Sequence, residues 1–107
     1  MANPWTGEVQ VVLDGAPHVC KLTLGALAEL EECLEEVSLV DLVERFESGR
    51  FRARDVLALL VAGLRGGGWR GTAEDLRCVE IGGGPAEAAR AAAQMLARAF
   101  ALPEKGA

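Results

Sequence analysis

A chain of 107 residues, half of them hydrophobic and a quarter charged, has the length and composition of one folded domain and not of a disordered chain. The net charge of −5 is unevenly distributed, since residues 1–48 hold ten acidic and two basic side chains and residues 49–107 hold six and nine. Scattered arginines and few aromatic residues argue against nucleic-acid binding. The chain lacks an apolar run near the roughly 20 residues of a membrane span, and its start lacks a secretory signal, so cytoplasmic synthesis and use are expected.

Two β-strands are predicted near the start of the chain. Apolar residues alternate with other residues over residues 7–13 and again over residues 18–24, the period of a half-buried strand. Asp14 and Gly15 lie between these runs, and this pair is a strong hairpin signal because both residues tolerate the positive φ of a tight turn. The pattern predicts a β-hairpin over residues 7–24.

A helix with one apolar and one acidic face is predicted next. Thr23 is placed to cap this helix, and Leu27, Leu30 and Leu34 follow at helical spacing. Its opposite face holds five carboxylates: Glu29, Glu31, Glu32, Glu35 and Glu36. A solvated face is the simpler interpretation, and a docking surface for a partner is the alternative.

A second and a third helix follow. Ser38 and Asp41 form an approximate capping box at the start of the second, and Gly49 is placed to end it. Residues 53–64 are apolar around most of the helix circumference, which indicates burial on several sides. This third helix is therefore expected at the centre of the domain, against the preceding helices and the inner face of the hairpin.

Two glycine triplets, residues 66–68 and 82–84, bracket a short fourth helix that Thr72 could cap. Its expected apolar positions are Leu76, Val79 and Ile81. Pro85 suits the first turn of a last, alanine-rich helix reaching about residue 102. One broad side of that helix should be buried: Ala88, Ala92, Met95, Leu96, Ala99 and Phe100.

The fold class predicted from these elements is α+β, an N-terminal β-hairpin followed by about five α-helices packed in one small domain. The single domain should span residues 1–107, with a helical part over residues 24–102 and a loose polar tail over residues 103–107.

The sequence offers little for catalysis, metals or cofactors. The glycines at 66, 68 and 71 match a dinucleotide fingerprint but follow a helix instead of a strand. The three cysteines, Cys20, Cys33 and Cys78, form no CxxC pair and are expected as buried thiols. His18 and Cys20 alternate on one strand, and two ligands do not make a zinc site. We expect no catalytic residue, metal or cofactor.

The candidates for protein binding are aromatic residues near glycines and the acidic helix face. Trp5 and Trp69 both lie beside glycine-containing segments, where they could anchor a partner or cover an edge of the core. The full set of candidate binding residues is Trp5, Glu31, Glu32, Glu35, Glu36, Phe51 and Trp69.

Four segments resemble a small protein family encoded in the tail-gene region of gene transfer agents and related tailed phages. They are residues 3–9 (NPWTGEV), 22–31 (LTLGALAELE), 44–51 (ERFESGRF) and 62–68 (AGLRGGG). The resemblance spans about residues 3–100, and its motifs are caps, turns and packing positions that carry no catalytic residue. It implies serine before the third helix, whereas Arg52 offers no capping oxygen and leaves the start of that helix open.

The resemblance implies a non-enzymatic role in tail assembly. The family is sometimes described as a tail tube protein, and its members also look like tail assembly chaperones. Such a chaperone would bind the tape-measure protein, tail tube subunits or both, using an exposed groove, and homo-oligomers are compatible with this role. The alternative is a structural component retained in the virion-like particle, such as a tube, ring or terminator. An enzyme using His18 and Cys20 is the third class considered.

Overall fold

The elements follow each other as a hairpin and then helices, which confirms the predicted α+β class in one compact domain. The computed structural model describes residues 8–34 and 38–100. Two strands, β1 (Val9–Leu13) and β2 (Ala16–Cys20), precede five helices: α1 (Leu24–Leu34), α2 (Leu39–Ser48), α3 (Ala53–Gly66), α4 (Ala73–Cys78) and α5 (Gly84–Ala99). The predicted loose tail, residues 103–107, lies outside the described residues.

The hairpin closes through the predicted turn. Asp14 and Gly15 have φ angles of 49° and 84°, the left-handed conformation that a two-residue hairpin turn requires. The antiparallel register pairs Leu13 with Ala16 and Val9 with Cys20. β2 ends at Cys20, earlier than the apolar alternation suggests, because the chain turns into α1.

A segment after α4 lies along the outer edge of β1, which the sequence did not indicate. The Gly82 N–H donates to the Val12 carbonyl at 2.9 Å, and the Asp14 N–H donates to the Glu80 carbonyl at 2.8 Å. Ile81 forms an isolated bridge with Leu13. The prediction that Val79 and Ile81 lie on the short helix is therefore wrong: α4 ends at Cys78, and the edge of the hairpin binds the next residues in extended form.

The helix caps confirm most of the predicted boundaries. Thr23 Oγ1 accepts from the Ala26 N–H at 3.1 Å, and the Ser38 capping box and the Thr72 cap are both present. Gly49 ends α2 with a φ of 79°. At the start of α3, Arg52 provides no side-chain oxygen as an N-cap. The Asp55 carboxylate instead accepts from the Arg52 backbone N–H at 2.8 Å, which is the other half of a capping box.

The helix α3 lies at the centre of the domain, as predicted, and contacts α1, α4, α5 and β2. Leu59, Leu60 and Leu64 are at most 1% exposed. Gly63 permits close packing here: the Lys21 N–H donates to its carbonyl at 2.8 Å, and a Cβ at this position would overlap Met95 Sδ.

An ion pair joins α2 to the start of α3. Arg45 donates to both Asp55 oxygens at 3.1 Å, and the Asp55 side chain is completely buried. Phe46 and Phe51 stack beside this pair with their ring centroids 4.6 Å apart. These contacts fix the orientation of α2.

Two further expectations about burial are corrected. Cys20 is buried as predicted, but Cys33 and Cys78 are exposed because each lies on the outward face of its helix. The last helix ends at Ala99, earlier than residue 102. Ala99 is exposed and Phe100 is 44% exposed, so these two do not belong to the buried face, because the helix end extends past the core.

Candidate functional site

An open groove of about 1160 Å³ lies between the hairpin tip, the start of α3, the end of α4 and the start of α5. We call it the apolar groove. Its apolar lining includes Val12, Phe51, Val56, Leu57, Val79 and Ile81. Four charged side chains also line it: Asp14, Arg54, Arg77 and Glu80. Because two acidic and two basic side chains balance, the groove carries no net charge and its surface is mainly apolar.

Local structure explains why this groove forms. The extended segment after α4 lies close to β1, where a Cβ on Gly82 would meet Val12 Cβ at 3.0 Å. Pro85 lies in the first turn of α5 just beyond, and Phe51 stacks on Phe46. The half-buried side chains of Val79, Ile81 and Phe51 all line the groove.

A second groove, of about 590 Å³, lies between α1, α3 and α4. We call it the arginine trough. Its apolar lining includes Leu30, Cys33, Leu34, Leu57, Val61 and Ala73. Arg54 and Arg77 line both grooves, and within residues 8–34 and 38–100 neither side chain makes a hydrogen bond or ion pair. Arg65 is neutralised by Glu29 at 3.1 Å, so the trough has an excess of two positive charges.

The structure does not bring the candidate binding residues into one site. Phe51 lines the apolar groove, while Trp69 packs against the core and lines a small separate pocket beside α1. Glu31 and Glu32 are exposed on α1. The remaining three candidates, Trp5, Glu35 and Glu36, lie outside the described residues.

Sequence reasoning missed most of the groove. Val79 and Ile81 were assigned to a helix, although their spacing of two before a glycine triplet is also a strand signal. Leu57, in both grooves, and Val61, in the arginine trough, extend the apolar surface of α3 beyond what its neighbours cover, and both remain half-buried. That excess on α3 was the available signal for an unpartnered surface.

The hairpin residues considered for catalysis are poorly suited to it. Burial raises the pKa of the Cys20 thiol to about 12, so it stays protonated at neutral pH and is a weak nucleophile. His18 is half-buried on the same strand. Among the described residues, no group of three or more His, Cys, Asp and Glu side chains could hold a metal ion. In the same part of the chain, none of the helices has the length and apolar character of a bilayer span.

The described residues form a hairpin followed by helices in one domain, and a family comparison identifies the class as phage-type tail proteins. The model of the family described as "Phage tail tube protein, GTA-gp10" matches residues 6–102. The chain belongs to this family, which confirms the resemblance to gene transfer agent and tailed-phage proteins. No curated protein and no solved structure matches the chain.

Proposed function

We propose that this chain is a non-enzymatic tail assembly chaperone that covers apolar surface of the tape-measure protein, of tail tube subunits, or of both. The observation that carries the proposal is the apolar groove. The producing cell's cytoplasm is the expected place of action, before the tail is complete. In this proposal the groove holds an apolar helical segment of the client, and the acidic first helices orient it.

The size and lining of the apolar groove suit such a client. The volume of about 1160 Å³ exceeds the 300–1,000 Å³ typical of small-molecule sites, and the groove is open to solvent. Exposed apolar surfaces of this kind usually mark sites of protein contact. Phe51, Val79 and Ile81 are each half-buried, so a docked helix would remove further apolar area from water.

The edges of the hairpin argue against a tube subunit that joins its neighbours by strand pairing. Because a two-residue turn makes Leu13 and Ala16 a hydrogen-bonded pair, the backbone groups of Val12 and Pro17 point to the outer edges. The Val12 carbonyl is already taken by Gly82, and Pro17 has no N–H to donate. Neither edge therefore offers a continuous ladder to another strand.

A structural component that stays in the particle, as tube, ring or terminator, is the second candidate. The description of the family as a tail tube protein favours it. Under this alternative the apolar groove would be filled permanently by a neighbouring tail subunit, and under the chaperone proposal it would be filled only during assembly.

A matched pair of substitutions tests the role of the apolar groove. Ala89 lines the groove and is half-buried, whereas Ala86 is exposed on the same helix outside it. Ala89→Arg places a long cation in the groove, and Ala86→Arg changes the chain equally without obstructing it.

The assay is the soluble fraction of the tape-measure protein, co-expressed from the same tail-gene region with each variant. We expect wild type and Ala86→Arg to keep it soluble and Ala89→Arg to lose most of this effect. A tape-measure protein that is equally soluble without the chain would remove the chaperone proposal. Equal activity of both variants would remove the groove as its site.

The other candidate binding residues remain proposals. Trp69 and the acidic residues Glu31 and Glu32 lie away from the apolar groove, so they would contact a second part of a client. Phe51 is the candidate that the groove includes, and Phe51→Ala should weaken client binding more than Glu31→Gln.

A further inference from the structure

We infer that a second copy of this chain docks in the arginine trough, through the outward face of its helix α2. That face consists of Val40, Glu44 and Glu47, and we call it the acidic face. The arginine trough shares Arg54, Leu57 and Arg77 with the apolar groove but opens on the side of α1. The inference does not depend on the chaperone proposal.

The arginine trough combines a half-buried apolar floor with two cations that are unpaired among the described residues. Its floor includes the half-buried side chains of Leu57 and Val61, and Arg54 and Arg77 stand beside them. Within the described part of the chain, these two guanidinium groups have no hydrogen-bond or ion-pair partner. An apolar floor with two free cations fits a segment that combines an apolar contact with carboxylates.

The acidic face supplies that combination. Val40 is 67% exposed, and Glu44 and Glu47 are exposed at positions four and seven residues further, on the same stripe of the helix. Neither carboxylate has a hydrogen-bond or ion-pair partner among the described residues. The opposite side of α2 is committed to the core through Leu42 and to Asp55 through Arg45, so this stripe faces outward.

Both surfaces carry a charge at the unfavourable end of a helix. Glu47 lies in the last turn of α2, where the helix dipole disfavours an anion, and Arg54 lies in the first turn of α3, where it disfavours a cation. Each charge therefore slightly destabilises its own helix in an isolated copy. A contact that pairs them between copies would turn two unfavourable placements into one favourable interaction.

The arginine trough and the acidic face that complements it belong to the same chain, which favours a second copy over another acidic protein as the occupant. Residues 1–48 are strongly acidic and residues 49–107 are net basic, so one copy can present its acidic part to the basic part of another. In the contact, Val40 covers the Leu57 and Val61 floor while Glu44 and Glu47 pair with the arginines. Such a contact is weakened by salt because its charges are partly exposed.

The first test is sedimentation velocity of the full chain over a concentration series, at low salt and again at high salt. We expect concentration-dependent association at low salt that is lost at high salt. Arg54→Glu with Arg77→Glu should raise the dissociation constant at least about tenfold. The matched control, Arg50→Glu with Arg70→Glu, makes the same charge change at exposed arginines outside the trough and should leave association much closer to wild type.

A mixing experiment then tests the pairing itself. Glu44→Arg with Glu47→Arg removes the acidic face but leaves the trough intact, so this variant and the trough variant should each fail to associate alone. Mixed in equal amounts, they should associate, because the acidic face of the trough variant is intact and can dock in the intact trough of the acidic-face variant.

Folding is checked separately from association. Replacing Glu47 and Arg54 removes unfavourable helix-dipole placements, whereas Arg77→Glu creates one at the end of α4. Each of these effects is small at an exposed position, so thermal melts should show both variants folded within a few degrees of wild type. Wild type that stays a monomer at all concentrations and salts would overturn the inference, as would a mixture that stays monomeric. Loss of tape-measure solubility in the trough variant, without self-association in wild type, would overturn the inference and assign Arg54 and Arg77 to client binding, because both side chains also line the apolar groove.

Discussion

Removing one partner of the ion pair between Arg45 and Asp55 should strongly destabilise the fold, and Arg45→Met tests this. Asp55 is completely buried, while the Arg45 side chain is 30% exposed. Removing Arg45 leaves a buried carboxylate with only the Arg52 N–H as a hydrogen-bond donor among the described contacts. Breaking a buried pair from one side typically costs about 3–5 kcal/mol, so we expect a loss in that range.

The matched control is Arg65→Met, which breaks an ion pair of the same kind at the surface. Arg65 and Glu29 are 42% and 52% exposed, so this change should cost about 1 kcal/mol or less. Urea denaturation gives both free energies of unfolding. Asp55→Asn added to Arg45→Met should recover part of the loss, since it removes the unpaired charge. Equal costs for Arg45→Met and Arg65→Met would refute the reasoning.

Three further predictions concern packing, pH and the indole of Trp69. Gly63→Ala should destabilise by about 1–3 kcal/mol because the new Cβ would overlap Met95 Sδ, whereas Gly25→Ala, with only one atom 4.0 Å away, should be neutral or slightly stabilising in thermal melts. Burial raises the pKa of the Cys20 thiol from 9.0 to about 12, so between these pH values only the unfolded chain ionises it. The free energy of unfolding should therefore fall by about 1.4 kcal/mol per pH unit from pH 9 to pH 12. Cys20→Ala should lack this contribution to the pH dependence. Trp69→Ala should lower the melting temperature because the indole packs on the core; unchanged client affinity in that variant would remove Trp69 as an anchor.

The parts of the fold that were predictable depend on local chemistry. Tight turns, helix caps and helix stops each favour a few specific residue types, so they can be read from a short stretch of sequence. All four such features are confirmed: the Asp14-Gly15 turn, the Ser38 and Thr72 caps and the Gly49 stop. The central position of α3 followed from its apolar circumference. These features are determined within a few residues of sequence.

The candidate site depends on contacts between distant parts of the chain, and therefore was not predictable in the same way. Val79 and Ile81 were placed on a helix because nothing local shows that the edge of β1 would bind them. Likewise, helical spacing alone does not reveal which arginines find partners: Arg45 and Arg65 do, while Arg54 and Arg77 do not within the described residues. The exposure of Cys33 and Cys78 also depends on which helix face meets the core.

The measurement that tests the chaperone proposal most directly is quantitative mass spectrometry of purified particles beside the lysate that produced them. Copies of this chain are counted relative to the major subunit of the tail tube. The proposal predicts abundance in the lysate and near-absence from the particles. A fixed stoichiometry in the particles would contradict it and make the chain a permanent component of the tail.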